Sequence, residues 1–128
     1  MAKGVIIVDD SKTIIATAEM ALEGMVKEGI IEFRAYTNPE ELLGDLQGGA
    51  IDFDLLISDI NMPQMNGLDL SEEIKKIERL SKKPILILTT ESSADMKQRG
   101  KTIGVTGWMV KPFDGTKLAK SVKMVLGL

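Results

Sequence analysis

Short, unbroken apolar runs alternate along this chain with longer stretches in which apolar residues recur every three or four positions. Val5-Ile6-Ile7-Val8, Leu55-Leu56-Ile57 and Ile85-Leu86-Ile87-Leu88 contain no polar residue and are bounded by polar ones, the pattern of strands covered on both faces. Ile31–Tyr36 and Trp108-Met109-Val110 read as two further strands of less continuous apolarity. Helical spacing links Ile14, Ile15, Ala18, Leu22 and Met25, then Leu70, Ile74 and Ile77, and finally Leu118, Val122, Val125 and Leu126. Asn38-Pro39-Glu40-Glu41 predicts a helix start, with Asn as N-cap, Pro at the first helical position and Glu at the third. Ser92–Ile103 is the least convincing helix. It is largely polar and carries Gly100 inside it, and an internal glycine costs about 1 kcal/mol relative to alanine.

Strands alternating with helices five times predict an α/β fold: a five-stranded parallel sheet, doubly wound as (βα)5, with right-handed crossovers and helices on both faces. Residues 1–128 are expected to form a single domain, with no repeat or linker. Ligands of such sheets bind at the carboxyl ends of the strands, where the strand order reverses. There the predicted strands end in Asp9-Asp10, Asp59, Thr89-Thr90 and Lys111-Pro112. Taken singly, an aspartate after a strand reads as a cap or turn residue, Thr89 as a strand former and Lys111 as a surface charge. Together they make one edge of four strands polar. Three carboxylates at that edge repel one another unless a cation compensates, and Lys111 is the only cation that a strand end supplies. A bound divalent ion is the natural remedy, and an all-oxygen ligand set selects magnesium before calcium or zinc. Asp52 and Asp54 flank the start of the third strand, at the opposite edge, and read as solvated.

Hydrophobic residues make up 44% of the chain and charged residues 27%, the balance of an ordinary soluble protein. No apolar run approaches the roughly 18 residues that a membrane span needs, and no secretory leader is recognisable, so a cytoplasmic location without membrane insertion is expected. Cysteine and histidine are both absent. That removes thiolate and imidazole metal sites, a Ser-His-Asp or cysteine nucleophile, and a histidine phosphoacceptor. The net charge of −3 conceals a division: residues 1–91 hold 9 Lys+Arg against 17 Asp+Glu, and residues 92–128 hold 7 against 2. An acidic chain with no basic patch interleaved with aromatics is not expected to bind nucleic acid. Its basic C-terminal stretch reads either as solvated surface or as a face for an acidic partner.

Val5-Ile6-Ile7-Val8-Asp9-Asp10-Ser11, Asp59-Ile60-Asn61-Met62-Pro63-Gln64-Met65-Asn66-Gly67, Thr89 and Lys111-Pro112-Phe113 together resemble the receiver domain of bacterial response regulators. The match spans essentially the whole chain and implies the flavodoxin-like receiver fold. Leu88-Thr89-Thr90-Glu91 and the segment Gly104–Phe113 further resemble the single-domain chemotaxis regulators of the CheY family. The resemblance implies that Asp59 accepts a phosphoryl group from a phosphohistidine on a partner kinase of the chemotaxis type; with no histidine here, that residue must come from elsewhere. It implies that Asp10, Asp59 and the backbone carbonyl of Asn61 ligate Mg2+, with Asp9 acting largely through water. Lys111 would pair with Asp59 before the reaction and with a phosphoryl oxygen after it, and Thr89 would turn its hydroxyl onto another. Lys111-Pro112 would be a cis peptide. Asn61 and Glu91 would set how fast the acyl phosphate hydrolyses, although Asn61 also reads as a turn residue.

The same resemblance couples Thr89 to an aromatic on strand five, here Trp108, and to the face of helix four, strand five and helix five. Lys97, Lys101, Lys117, Lys120 and Lys123 fall in that region. The family more often has Tyr or Phe there; an indole is larger and cannot mimic a phenol, so a simple in-and-out flip is not implied, and a lone tryptophan also reads as packing. The implied partners are a histidine kinase, a flagellar motor switch protein and a phosphatase, the chain itself being a monomer in a two-component pathway that controls flagellar rotation.

Other classes fit less well. A magnesium-dependent phosphatase of the haloacid dehalogenase type also uses an aspartate nucleophile, but wants an acidic residue two positions on, where this chain has Asn61. A flavodoxin-like electron carrier needs a Ser/Thr/Gly-rich phosphate loop after strand one, and a nucleotide switch needs a Gly-rich loop ending in Lys-Ser/Thr; the sequence has neither. Within the receiver class, the alternative output is a phosphate sink or a non-motor target. With Leu128 the last residue, no fused DNA-binding output domain is expected, nor any catalysis beyond the chain's own phosphorylation and dephosphorylation.

Overall fold

A computed structural model describes residues 2–128. The elements run β1 (Lys3–Val8), α1 (Lys12–Lys27), β2 (Ile31–Tyr36), α2 (Pro39–Gln47), β3 (Leu55–Ser58), α3 (Gly67–Lys75), a 3₁₀ turn (Glu78–Leu80), β4 (Ile85–Thr89), α4 (Ala94–Ile103), β5 (Gly107–Val110) and α5 (Gly115–Leu126). All five strands are parallel, in the order β2-β1-β3-β4-β5. The order reverses between β1 and β3, so the loops leaving those two strands diverge and open a crevice at their carboxyl ends.

Alternating side chains of the apolar strands feed two cores. Ile6, Val8, Leu56, Ile85 and Ile87 face Leu42 and Leu46 of α2 and Leu68, Leu70 and Ile74 of α3. Val5, Ile7, Leu55, Ile57, Leu86 and Leu88 face Ala18 and Leu22 of α1 and Leu118 and Val122 of α5. Strands with a helix layer on each face have no solvated side, which is why their sequences are apolar without interruption. The Asn38 carboxamide caps α2 as predicted, accepting from the Glu40 and Glu41 N–H groups.

Two expectations change. Ala94–Ile103 is a full helix, capped by the Ser93 hydroxyl at its start and ended by left-handed Gly104. Gly100 is buried within it, and a β-carbon there would lie 3.0 Å from Trp108 Cζ3 and 3.1 Å from Val105 Cγ2. Its lost helix propensity is exchanged for space that the indole fills. Asp54, read as solvated, is half-buried: it accepts from the Gly4 N–H at 2.7 Å and from Lys83 Nζ at 3.4 Å. Asp52 is exposed but pairs with Arg79 at 2.7 Å.

Candidate functional site

Hydrogen bonding between strands runs one residue past the ends of the sheet and fixes where the polar residues start. The Asp9 N–H donates to the Tyr36 carbonyl (3.1 Å), the Asp59 N–H to the Val8 carbonyl (3.1 Å) and the Lys111 N–H to the Thr89 carbonyl (2.8 Å). Asp59 therefore hangs from β1 and Lys111 from β4, and their side chains converge above the crevice. The Lys111–Pro112 peptide is cis.

Lys111 Nζ donates to Asp9 Oδ2 at 2.7 Å and to Asp59 Oδ2 at 3.1 Å. The second oxygen of each acid is also engaged: Asp9 Oδ1 accepts from the Ser11 N–H (2.9 Å) and Asp59 Oδ1 from the Ile60 N–H (2.7 Å). Asp9 and Asp59 are buried, whereas Asp10 is exposed. One carboxylate oxygen from each of the three lies within 4.8 Å of the others. Burial pushes the Asp9 carboxyl above its ordinary range, against the pull of Lys111 and the Ser11 N–H. Burial also works against the Lys111 ammonium, but its bonds to Asp9 and Asp59 outweigh it and leave the lysine above its ordinary value. One ammonium is shared between Asp9 and Asp59, and Asp10 makes no ion pair with this lysine. The cluster stays short of positive charge, and its all-oxygen donor set, partly open at Asp10, suits a hard divalent cation.

Around this centre the remaining candidates form a hydrogen-bonded chain. Thr89 is fully buried, and its Oγ1 accepts from the Glu91 N–H at 3.2 Å. The Glu91 carboxylate accepts from Asn61 Nδ2 at 3.1 Å, and the Glu91 carbonyl accepts from Trp108 Nε1 at 3.0 Å. The polar tip of the indole thus has a backbone partner, although it is not a phenol. Asp9, Asp10, Asp59 and Lys111 form the cluster; the Lys111 N–H joins it to Thr89, and Glu91 joins Thr89 to Asn61 and Trp108.

Sequence reasoning missed three features. One is the direct Asn61–Glu91 contact, between residues 30 positions apart. Another is that Lys111 serves Asp9 as well as Asp59. The third is Gly67, where a β-carbon would stand 1.8 Å from the Asp59 carbonyl oxygen. A buried glycine at the first position of α3, with no turn that requires a positive φ, was the available signal for this close approach.

Known proteins are similar to this chain in sequence and fold. The family model described as "Response regulator receiver domain" matches residues 5–123. The "Chemotaxis protein CheY1" of Helicobacter pylori is 32% identical over 122 residues, 95% of each chain. The solved structure of the chemotaxis response regulator CheY4 of Vibrio cholerae superimposes with a TM-score of 0.85 at 36% identity, covering 98% of this chain and 100% of that one. A more local match is 38% identical over 74 residues to the "Probable transcriptional regulator ycf29" of Porphyra purpurea. It takes in 58% of this chain, which spans about a third (35%) of that relative's length. Its fold, the polar ends of its central strands and its near full-length alignment with a chemotaxis regulator agree: this chain belongs to the response regulator receiver domain family.

Proposed function

We propose that Asp59 is the phosphoacceptor of a single receiver domain, charged by a partner histidine kinase and read out in chemotaxis. The observation that carries the reading is Lys111 Nζ bound to both Asp9 and Asp59, with an oxygen of a third carboxylate, Asp10, within 4.8 Å of theirs. An Asp59 oxygen attacks phosphorus, the bond from phosphorus to the kinase imidazole breaks, and the imidazole leaves with its electron pair. In hydrolysis, water adds to phosphorus, the bond to the Asp59 carboxyl oxygen breaks with its electron pair returning to the carboxylate, and inorganic phosphate leaves as H2PO4− with both of the water's protons.

Asp10, Asp59 and the Asn61 backbone carbonyl would hold Mg2+, with Asp9 acting largely through water. Bound there, the ion supplies charge neutralisation for the phosphoryl oxygens. Lys111 follows the charge, from the Asp59 carboxylate to a phosphoryl oxygen. Thr89, whose Oγ1 accepts from the Glu91 N–H, would donate its hydroxyl hydrogen to the phosphoryl group, and this links the site through Glu91 to Trp108. Asn61 and Glu91 lie beside the acyl phosphate and order the hydrolytic water. Output passes to the α4-β5-α5 face, where Lys97, Lys101, Lys117, Lys120 and Lys123 are all exposed; a flagellar motor switch segment of acidic character fits it, and a phosphate-sink role is the alternative. Among the described residues no helix is long and apolar enough to cross a membrane, in keeping with a cytoplasmic regulator.

The test is phosphorylation by acetyl phosphate, followed by intact mass. Wild type with magnesium should gain one phosphoryl group and lose the capacity in excess chelator, while Asp59→Asn should gain none. Full labelling of Asp59→Asn would sink the assignment.

A further inference from the structure

The indole of Trp108 is fixed at both ends. Its Nε1 donates to the Glu91 carbonyl at 3.0 Å, and its six-membered ring lies against the α-carbon of Gly100, where an added β-carbon would come within 3.0 Å of Cζ3. The same Glu91 accepts from Asn61 Nδ2 through its carboxylate at 3.1 Å and has its N–H on Thr89 Oγ1 at 3.2 Å. Arg99, next to Gly100, donates to Asp69 and, at 2.8 Å, to Glu72. Both acids lie on α3, so the wall behind the indole is itself anchored.

We infer that Gly100 and Trp108 are positioning residues for the hydrolysis of the acyl phosphate. The small residue in α4 seats the indole, the indole holds the Glu91 backbone, and the Glu91 carboxylate holds Asn61 beside Asp59. This rests on the reading above, in which Asn61 and Glu91 order the hydrolytic water. Its physical content is that the lifetime of the phosphorylated state is set partly from the output face. A partner that draws the indole away from Gly100 then prolongs the signal it reads, because the Glu91 backbone loses the bond that keeps its carboxylate on Asn61.

Protein labelled with acetyl phosphate and magnesium is freed of donor, and loss of the phosphoryl mass is followed in time. Trp108→Phe keeps an aromatic ring but removes the donor, and it should slow hydrolysis about three- to tenfold, the range for one net hydrogen bond. It should leave the initial labelling rate within about twofold, on the same scale. Gly100→Ala should slow hydrolysis in the same direction and shift the emission of this single tryptophan to the red. In a Glu91→Ala background, Trp108→Phe should change the hydrolysis rate no further. A Trp108→Phe rate equal to wild type, or an equal slowing with and without Glu91, overturns the inference. If Glu91→Ala and Asn61→Ala themselves hydrolyse at the wild-type rate, it is the underlying role of those two residues that fails.

Discussion

Behind Asp59 the α-carbon of Gly67 lies so close to the backbone that any β-carbon would overlap the Asp59 carbonyl oxygen. The Gly67 N–H donates to the Ile60 carbonyl at 2.8 Å, so α3 starts hard against the loop that carries the proposed phosphoacceptor. The atom met is backbone, not the end of a flexible side chain, and relief requires moving either the helix or Asp59. Gly67→Ala should therefore destabilise by about 3 kcal/mol, the upper part of the range for overpacking, and slow labelling by acetyl phosphate as well. A denaturant midpoint within error of wild type would refute the contact. At this scale the site was legible in part. Asp9, Asp10, Asp59, Thr89 and Lys111 stood out because each follows or closes a strand, where chain position alone fixes the edge. The contacts of Gly67, Gly100 and Glu91 did not, because each depends on a residue brought near only by strand register or by helix packing.

Among the elements, the strands were read almost completely, since burial on both faces leaves an unbroken apolar signature. Helix α4 was undervalued for a physical reason: propensity weighed Gly100 against alanine without the Trp108 ring that occupies the space. Asp54 was undervalued because its partners belong to other elements. It joins the segment before β3 to β1 by a pair of bonds, Asp54 N–H to the Gly4 carbonyl and Gly4 N–H to its carboxylate, both 2.7 Å. Burial would raise this carboxyl, but the Gly4 N–H and the Lys83 ammonium outweigh it and hold it below its ordinary value. A depressed acid contributes stability above its unfolded pKa, about 4, and loses that contribution as pH falls through the folded value. Asp54→Asn should be less stable than wild type at pH 7, with the difference shrinking steadily below pH 4, about where the unfolded acid titrates. Chemical denaturation across that range would show it; a difference independent of pH would contradict the assignment.

For the molecule as a whole, the charge division of the sequence becomes a division in space. The basic lysines belong to α4 and α5 and the stretch around β5, while β2 forms the other edge of the sheet. Among the described residues none of Lys97, Lys101, Lys117, Lys120 and Lys123 makes an ion pair. That leaves their field free to steer an acidic partner. Lys120→Glu with Lys123→Glu should lower the on-rate of the partner retained by beryllofluoride-treated protein about tenfold at low salt, with the gap closing near 1 M, where the screening length is about 3 Å. An unchanged on-rate would discard the steering role. The strand order also bears on how the chain is made. The β1–β2 pair can form once Tyr36 has emerged from the ribosome, but the other side of β1 waits for Leu55–Ser58. Until then Val5-Ile6-Ile7-Val8 presents a bare, uncharged edge of the kind that recruits strands from other chains. The strand that later carries Asp9 and Asp10 at its tip is thus, for part of the chain's synthesis, a segment exposed to aggregation.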